Sequence, residues 1–293
     1  MTEDGSRETD GETESALVTR RRVLGAGAGL LGLGGVGAGY VYTALQSSDG
    51  DYTAPASFPT LSTRGAFDEA GDAQFDGPHP TPRPNGVPDG DEFVLFVHGF
   101  QTDHESARDQ AHTAAVGLSE TTRPLPVVAY SWDSNREWGV AKSSAEANGR
   151  ALAAWLAEYA GPPVHVVAHS LGARVTGETL RALAPDDTTT VASVSLLGGA
   201  IPHDSVEHDG RYGDAIAAAS PPVRNYHSRR DRVLGWVYRL SDGTRAVGHG
   251  GAADPTATPD GYTDVDVTAT VPDHRSYYEP GEGCLPAVAE RLP

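Results

Sequence analysis

Cysteine occurs once, at Cys284. An intramolecular disulfide is therefore excluded, and so is a zinc site built on several thiolates. Lysine is as scarce: Lys142 stands alone, and arginine supplies the rest of the 22 bases. Against them stand 40 acids, giving a formal net charge of −18 and a pI near 4.9. Such a surface repels phosphate backbones, which excludes nucleic-acid binding through a basic footprint. Aromatics make up only 7% and apolar residues 38% of the 293 residues. That supply is lean but enough for a sizeable core, and the length fits one core domain with appendages. An acid excess with almost no lysine fits a protein built for molar salt. There the Debye length shrinks to ~3 Å, like charges repel less, and salting-out ions strengthen apolar burial.

The N-terminal fifty residues do not read as part of the fold. Residues 1–18 are polar and acidic, without apolar periodicity, and are expected to be disordered. Residues 19–48 open with Thr19-Arg20-Arg21-Arg22-Val23-Leu24, which resembles the twin-arginine export signal. From Val23 to Ser48 run 26 residues without a charge, eight of them glycine. A weakly hydrophobic, glycine-rich segment behind paired arginines fits that export route; it is also just long enough to anchor the chain in a membrane. Tyr42-Thr43-Ala44 is a poor cleavage site, and no cysteine lies nearby for lipid attachment. Export machinery is the expected partner, and the folded domain is expected outside the cytoplasm or on the outer face of the cell membrane.

Residues 49–90 are rich in Asp, Gly and Pro and predict an extended linker. Within it, Phe58–Gly65 predicts a leading edge strand, with Pro59 at its start. From 91 to 293 the texture is that of a folded domain. Apolar runs predict strands at Phe93–Val97, Val127–Ser131, Val164–Ala168, Val191–Leu197, Val223–Tyr226 and Val265–Thr268. Helical spacing covers 104–118, 140–160 and 171–183, whereas 241–264 reads as loop. Alternating strands and helices predict an α/β class with a mostly parallel sheet covered by helices on both faces.

Ala168-His169-Ser170-Leu171-Gly172 lies between the third strand and the following helix. That is the position of a nucleophile elbow, with Ala168 replacing its first glycine. A nucleophilic serine needs an acid and a base, in the chain order Ser, Asp/Glu, His. His274 follows the last strand and is the candidate base. His249 precedes that strand, His227 precedes the acid, and His169 points elsewhere. Asp231, just past the fifth strand, is the candidate acid, with Asp204 as runner-up. Two backbone N–H groups should form an oxyanion hole. Leu171 supplies one; Phe100, in the loop after the first strand, supplies the other ahead of Gln101. His98 reads as structural, Tyr130 and Trp132 as core first and substrate contacts second, and Cys284 as a free thiol. His203-Asp204 and His208-Asp209 match no metal spacing, so neither metal nor cofactor is expected.

Phe96-Val-His-Gly99, Ala129-Tyr-Ser-Trp132, Val166-Val-Ala-His-Ser-Leu-Gly-Ala-Arg-Val175, Asp231-Arg-Val-Leu and Asp273-His-Arg-Ser-Tyr277 resemble the α/β-hydrolase superfamily. More narrowly, they are similar to a family of α/β-hydrolases of unknown function related to lipases and esterases. The resemblance covers about residues 91–280. It implies that Ser170 is the nucleophile, His274 the base and Asp231 the acid of a serine hydrolase, with a small-molecule ester as substrate. A non-catalytic binding protein on the same fold is the alternative. About 25 residues separate Leu197 from Val223, without a long apolar insert. No large lid is therefore expected, and small or accessible esters are favoured over interfacial lipid.

Overall fold

The computed structural model describes residues 52–74, 82–88, 90, 92–183, 190–219 and 221–293. The acidic tail at 1–18 and the twin-arginine segment at 19–48 lie outside the described residues. Eight strands form one sheet: β1 (Thr60–Ser62), β2 (Arg83–Asn85), β3 (Phe93–Val97), β4 (Val127–Ser131), β5 (Val164–His169), β6 (Val191–Leu197), β7 (Val223–His227) and β8 (Tyr262–Asp266). Their spatial order is β2-β1-β4-β3-β5-β6-β7-β8. Every neighbouring pair is parallel except β1 with β2. The segment expected as an edge strand is β1, and it lies one place in from the edge. The proline-rich stretch after it returns as β2 and takes the edge, where a strand proline loses nothing by lacking an N–H.

The helices are α1 (His104–Ser119), α2 (Trp138–Glu158), α3 (Gly172–Ala182), α4 (Gly213–Ala218), α5 (Arg239–Asp242), α6 (Val247–Gly250) and α7 (Leu285–Ala289). A π-helical segment, Val233–Tyr238, runs directly into α5. β3 is apolar at every position because both its faces are covered. Phe93, Leu95 and Val97 pack into one core layer with Leu152, Leu156 and Val175 from α2 and α3. Val94 and Phe96 face the other layer, with Ala111, Ala114 and Leu118 from α1 and Leu285 from α7. Helices therefore cover both faces, and no lid domain interrupts the described chain.

The last strand lies at Tyr262–Asp266, earlier than the apolar signal at Val265–Thr268. β8 is an edge strand, so only one of its sides needs apolar residues. Its acid Asp264 is satisfied by Asn225 Nδ2 at 2.8 Å, the Tyr262 hydroxyl at 2.7 Å and the Ala252 amide at 2.8 Å. The stretch read as loop, 241–264, holds α6, a short 3₁₀ turn at Pro255–Ala257 and most of β8. No helix among the described residues is long and apolar enough to cross a membrane.

Candidate active site

Four chain segments meet beyond the C-terminal ends of the parallel strands, where open α/β sheets present their ligand sites. β5 ends at His169, and the chain turns through Ser170 into α3. Ser170 holds a φ of +55°, unusual for a residue with a side chain. Its backbone is clamped on both sides: its amide donates to Leu197 O at 3.0 Å, and its carbonyl accepts from Ala200 N at 2.9 Å. The glycine after the turn is required, because a Cβ at Gly172 would lie 2.4 Å from Val97 O. Gly99, in the loop after β3, is required too: a Cβ there would sit 2.8 Å from the Ser170 Cβ. Ala168 lies in the strand, fully buried in the core, and takes up the space of the missing glycine without conflict.

Asp231 follows β7 through a turn in which its amide donates to Ser228 O at 3.1 Å. It is fully buried. One carboxylate oxygen accepts the Leu234 amide at 3.0 Å, and the other lies 2.6 Å from His274 Nδ1. His274, eight residues after β8, places Nε2 2.9 Å from Ser170 Oγ. An ionised carboxylate only accepts, so the proton of this bond sits on His274 Nδ1. Nε2 of the neutral ring is then the acceptor facing the serine hydroxyl. The structure thus brings Ser170, His274 and Asp231 into one hydrogen-bonded chain. Asp204 is exposed and its side chain stays outside this chain. His249 instead turns its Nδ1 to the backbone carbonyl of Asp231, at 3.2 Å.

His169 does not join the chain but braces it. Its Nε2–H donates to the carbonyl of His274 at 2.7 Å. Burial, reinforced by the neighbouring His274 and Arg275, pulls the His169 pKa down to about 3, so the ring is neutral. Sequence position foretold only that this ring points away from the serine; its partner is a long-range contact that no local pattern encodes.

The two amides expected to face a developing oxyanion are those of Leu171 and Phe100. Leu171 N–H opens α3, where the first amides of a helix lack intrahelical acceptors and the dipole favours negative charge. Across from it, His98 orders the loop after β3. Its Nδ1–H donates to Gly99 O at 2.9 Å, and its Nε2 accepts the Trp132 amide at 3.2 Å. The Gly99 carbonyl and the Phe100 amide share one planar trans peptide and point in opposite directions. Anchoring the carbonyl on His98 therefore aims the Phe100 N–H away from it. Gln101 turns its amide to Ser134 O at 3.1 Å instead. Burial and the Arg64 charge hold His98 well below the ordinary histidine range. Trp132 stacks on His98 at 5.4 Å, and Tyr130 donates to Asn148 O at 3.0 Å; both are fully buried. Cys284 is buried as well, and burial pushes its thiol pKa up. Among the described residues, no three His, Cys, Asp or Glu side chains are grouped to hold a metal ion.

A mostly parallel sheet with a serine on a strand–turn–helix elbow and an acid and a histidine after later strands is the α/β-hydrolase arrangement. None of the curated proteins matches this sequence. Among solved structures, the mature lipase of Bacillus licheniformis is similar at 19% identity, over 73% of this chain and 95% of that one, with a TM-score of 0.42. The esterase domain of a Rhodothermus marinus protein is similar at 16% identity, over 68% of this chain and 84% of that one, with a TM-score of 0.37. The Paleococcus ferrophilus monoacylglycerol lipase is similar at 12% identity, over 68% and 93%, with a TM-score of 0.39. Residues 94–289, which hold Ser170, Asp231 and His274, match the family whose description is "Protein of unknown function (DUF726)", and the chain belongs to that family.

Proposed function

We propose that this protein is a serine hydrolase that cleaves carboxylic esters through an acyl-enzyme. The observation that carries the reading is the chain Asp231–His274–Ser170, closed at 2.6 and 2.9 Å. Ser170 Oγ attacks the ester carbonyl while His274 Nε2 takes its proton. Asp231 holds the tautomer and balances the imidazolium. The carbonyl oxygen, now an oxyanion, is received by the Leu171 and Phe100 amides. His274 then returns the proton to the leaving alkoxide and the acyl-enzyme forms. Water enters, gives a proton to His274 and attacks the acyl carbon. The acid leaves and Ser170 regains its proton.

The test is covalent labelling by a fluorophosphonate in molar salt. Wild-type protein should label and Ser170→Ala should not. Asp231→Asn should lower kcat by about 10⁴-fold, and Asp204→Asn should leave it unchanged. Folded protein that takes up no label would instead indicate a binding protein on this fold. An ester panel run in the same salt sorts the substrates.

Export by the twin-arginine route is part of the proposal, with residues 19–48 as signal or anchor. Changing Arg20 and Arg21 together to Lys should leave the protein in the cytoplasm, and normal export of that variant would refute the route. Adaptation to molar salt, inferred from the charge of −18, completes it.

A further inference from the structure

The segment that begins at Asp231 has two distinct faces. Leu234 and Tyr238 point inward and are fully buried. Arg232, Trp236, Arg239 and Leu240 point outward along the π-helical segment and α5. Trp236 is 72% and Leu240 75% exposed, and they are the exposed large hydrophobics among the described residues. The same stretch of chain, 229–245, carries Arg229, Arg230, Arg232, Arg239 and Arg245, all exposed. The only acids between 229 and 245 are already engaged. Asp231 is bonded to His274, and Asp242 binds Lys142 Nζ at 2.6 Å and Trp138 Nε1 at 2.7 Å. A basic strip with an exposed tryptophan and leucine thus stands on a molecule of net charge −18.

We infer that this ridge docks the protein on an anionic lipid bilayer. Trp236 and Leu240 enter the headgroup–acyl boundary, and the surrounding guanidinium groups meet lipid phosphates. Arginines that flank aromatic and aliphatic side chains on one helical face are the composition of an interfacial helix. Tryptophan suits that depth because its ring is apolar and its N–H is polar. Two side chains bury too little to hold a protein partner, which needs ~800 Å² per side, whereas a bilayer receives inserted groups singly. The uncharged run at 23–48 is a second feature of this chain suited to a membrane.

The ridge is also tied to the site. Asp231 caps its first turn through the Leu234 amide at 3.0 Å. On its inner face Tyr238 packs on Trp138 at 6.1 Å, and Trp138 packs on Phe100 at 5.1 Å. These contacts tie the ridge to the loop that carries Phe100, and for a docked protein the substrate is an ester held in the lipid surface. Among the described residues no lid domain stands between this ridge and the site, and Ser170 and His274 are themselves buried, so an ester must leave the water phase to reach them. The substrate half of the inference rests on the proposed ester hydrolysis; the docking half does not.

The test uses the full chain and vesicles of phosphatidylglycerol brominated on the acyl chains. Of the 4 tryptophans, Trp236 alone is strongly exposed, and the run at 23–48 contains none, so quenching reports on the ridge and not on an anchor. Vesicles should quench the wild-type emission, and Trp236→Phe should lose most of that quenching. Each of Arg232→Gln and Arg239→Gln should weaken binding roughly fivefold in a few tenths molar sodium chloride, where the fold is already screened. Trp236→Ala/Leu240→Ala should cut turnover of a vesicle-borne ester while leaving a water-soluble ester unaffected. Equal quenching in wild type and Trp236→Phe, or vesicle capture without quenching, would overturn the docking. So would a chain dimer that the double variant dissolves, because a second copy would then cover the ridge. Quenching without turnover of either ester would leave the docking standing and refute the hydrolase reading.

Discussion

Ser170 holds a left-handed backbone conformation that costs a non-glycine residue on the order of 1–3 kcal/mol. The clamp from Leu197 and Ala200 maintains it. The strain places Oγ at the top of the sheet, within reach of His274. Ser170→Gly should therefore remove activity and yet melt no lower than wild type, since glycine adopts this φ at no steric cost. Ser170→Ala, which keeps the strain, should melt below Ser170→Gly by about 1 kcal/mol; thermal melts in molar salt compare the two. His169 gives a pH prediction of definite sign. Its folded pKa is about 3, against ~6.5 in the unfolded chain. The folded state refuses a proton that the unfolded state accepts. Its contribution is whole above pH 6.5 and declines as the pH falls toward 3, at ~1.4 kcal/mol per unit. Between pH 7 and pH 5, His169→Phe should lose roughly 2 kcal/mol less stability than wild type in urea melts, although it starts from a lower value because the His274 carbonyl loses its donor.

The segment 232–246 shows how far elements can be read from sequence. Central strands such as β3 and β5 were legible because burial on both faces demands unbroken apolar runs. The elbow was legible because a tight turn between strand and helix restricts residue size at fixed positions. β8 was displaced by three residues because an edge strand tolerates Thr263, Asp264 and Asp266. The π-helical turn was not legible at all. It depends on long-range anchors: Asp231 held by His274 at its start, and Asp242 held by Trp138 and Lys142 at its end. The bracing of His274 by His169 was hidden for the same reason, with more than a hundred residues between partners. The Asp242 clamp is testable at this scale. Asp242→Ala leaves the buried end of the Trp138 indole and the Lys142 ammonium without their shared acceptor. It should cost on the order of 1–3 kcal/mol and speed hydrogen exchange across 233–242, with β3 and β5 unchanged. Uniform exchange throughout the chain would show that the clamp supports the whole fold and not this segment.

Charge acts over the whole molecule. The chain carries 40 acids against 22 bases, and the arginines at 229–245 form a local exception in sequence. In dilute buffer near 0.01 M salt the Debye length is ~30 Å, so acids on opposite sides of a domain this size repel one another. At 1 M it is ~3 Å and only contacts remain. Screening therefore acts mainly at the low end of the salt range, and strengthened apolar burial continues beyond it. A chain with only 38% apolar residues has little surplus of core to withstand unscreened repulsion. The melting temperature should rise steeply from dilute buffer to a few tenths molar sodium chloride, then more slowly toward molar salt. Potassium chloride should reproduce the first phase, because screening depends on ionic strength and not on the ion. Sodium sulfate should exceed both in the second, because its effect is exclusion from apolar surface. A melting temperature that stays flat between dilute buffer and molar salt would remove the case for salt adaptation. A rise in sulfate alone would assign the dependence to apolar burial and leave the acid excess without a role in stability.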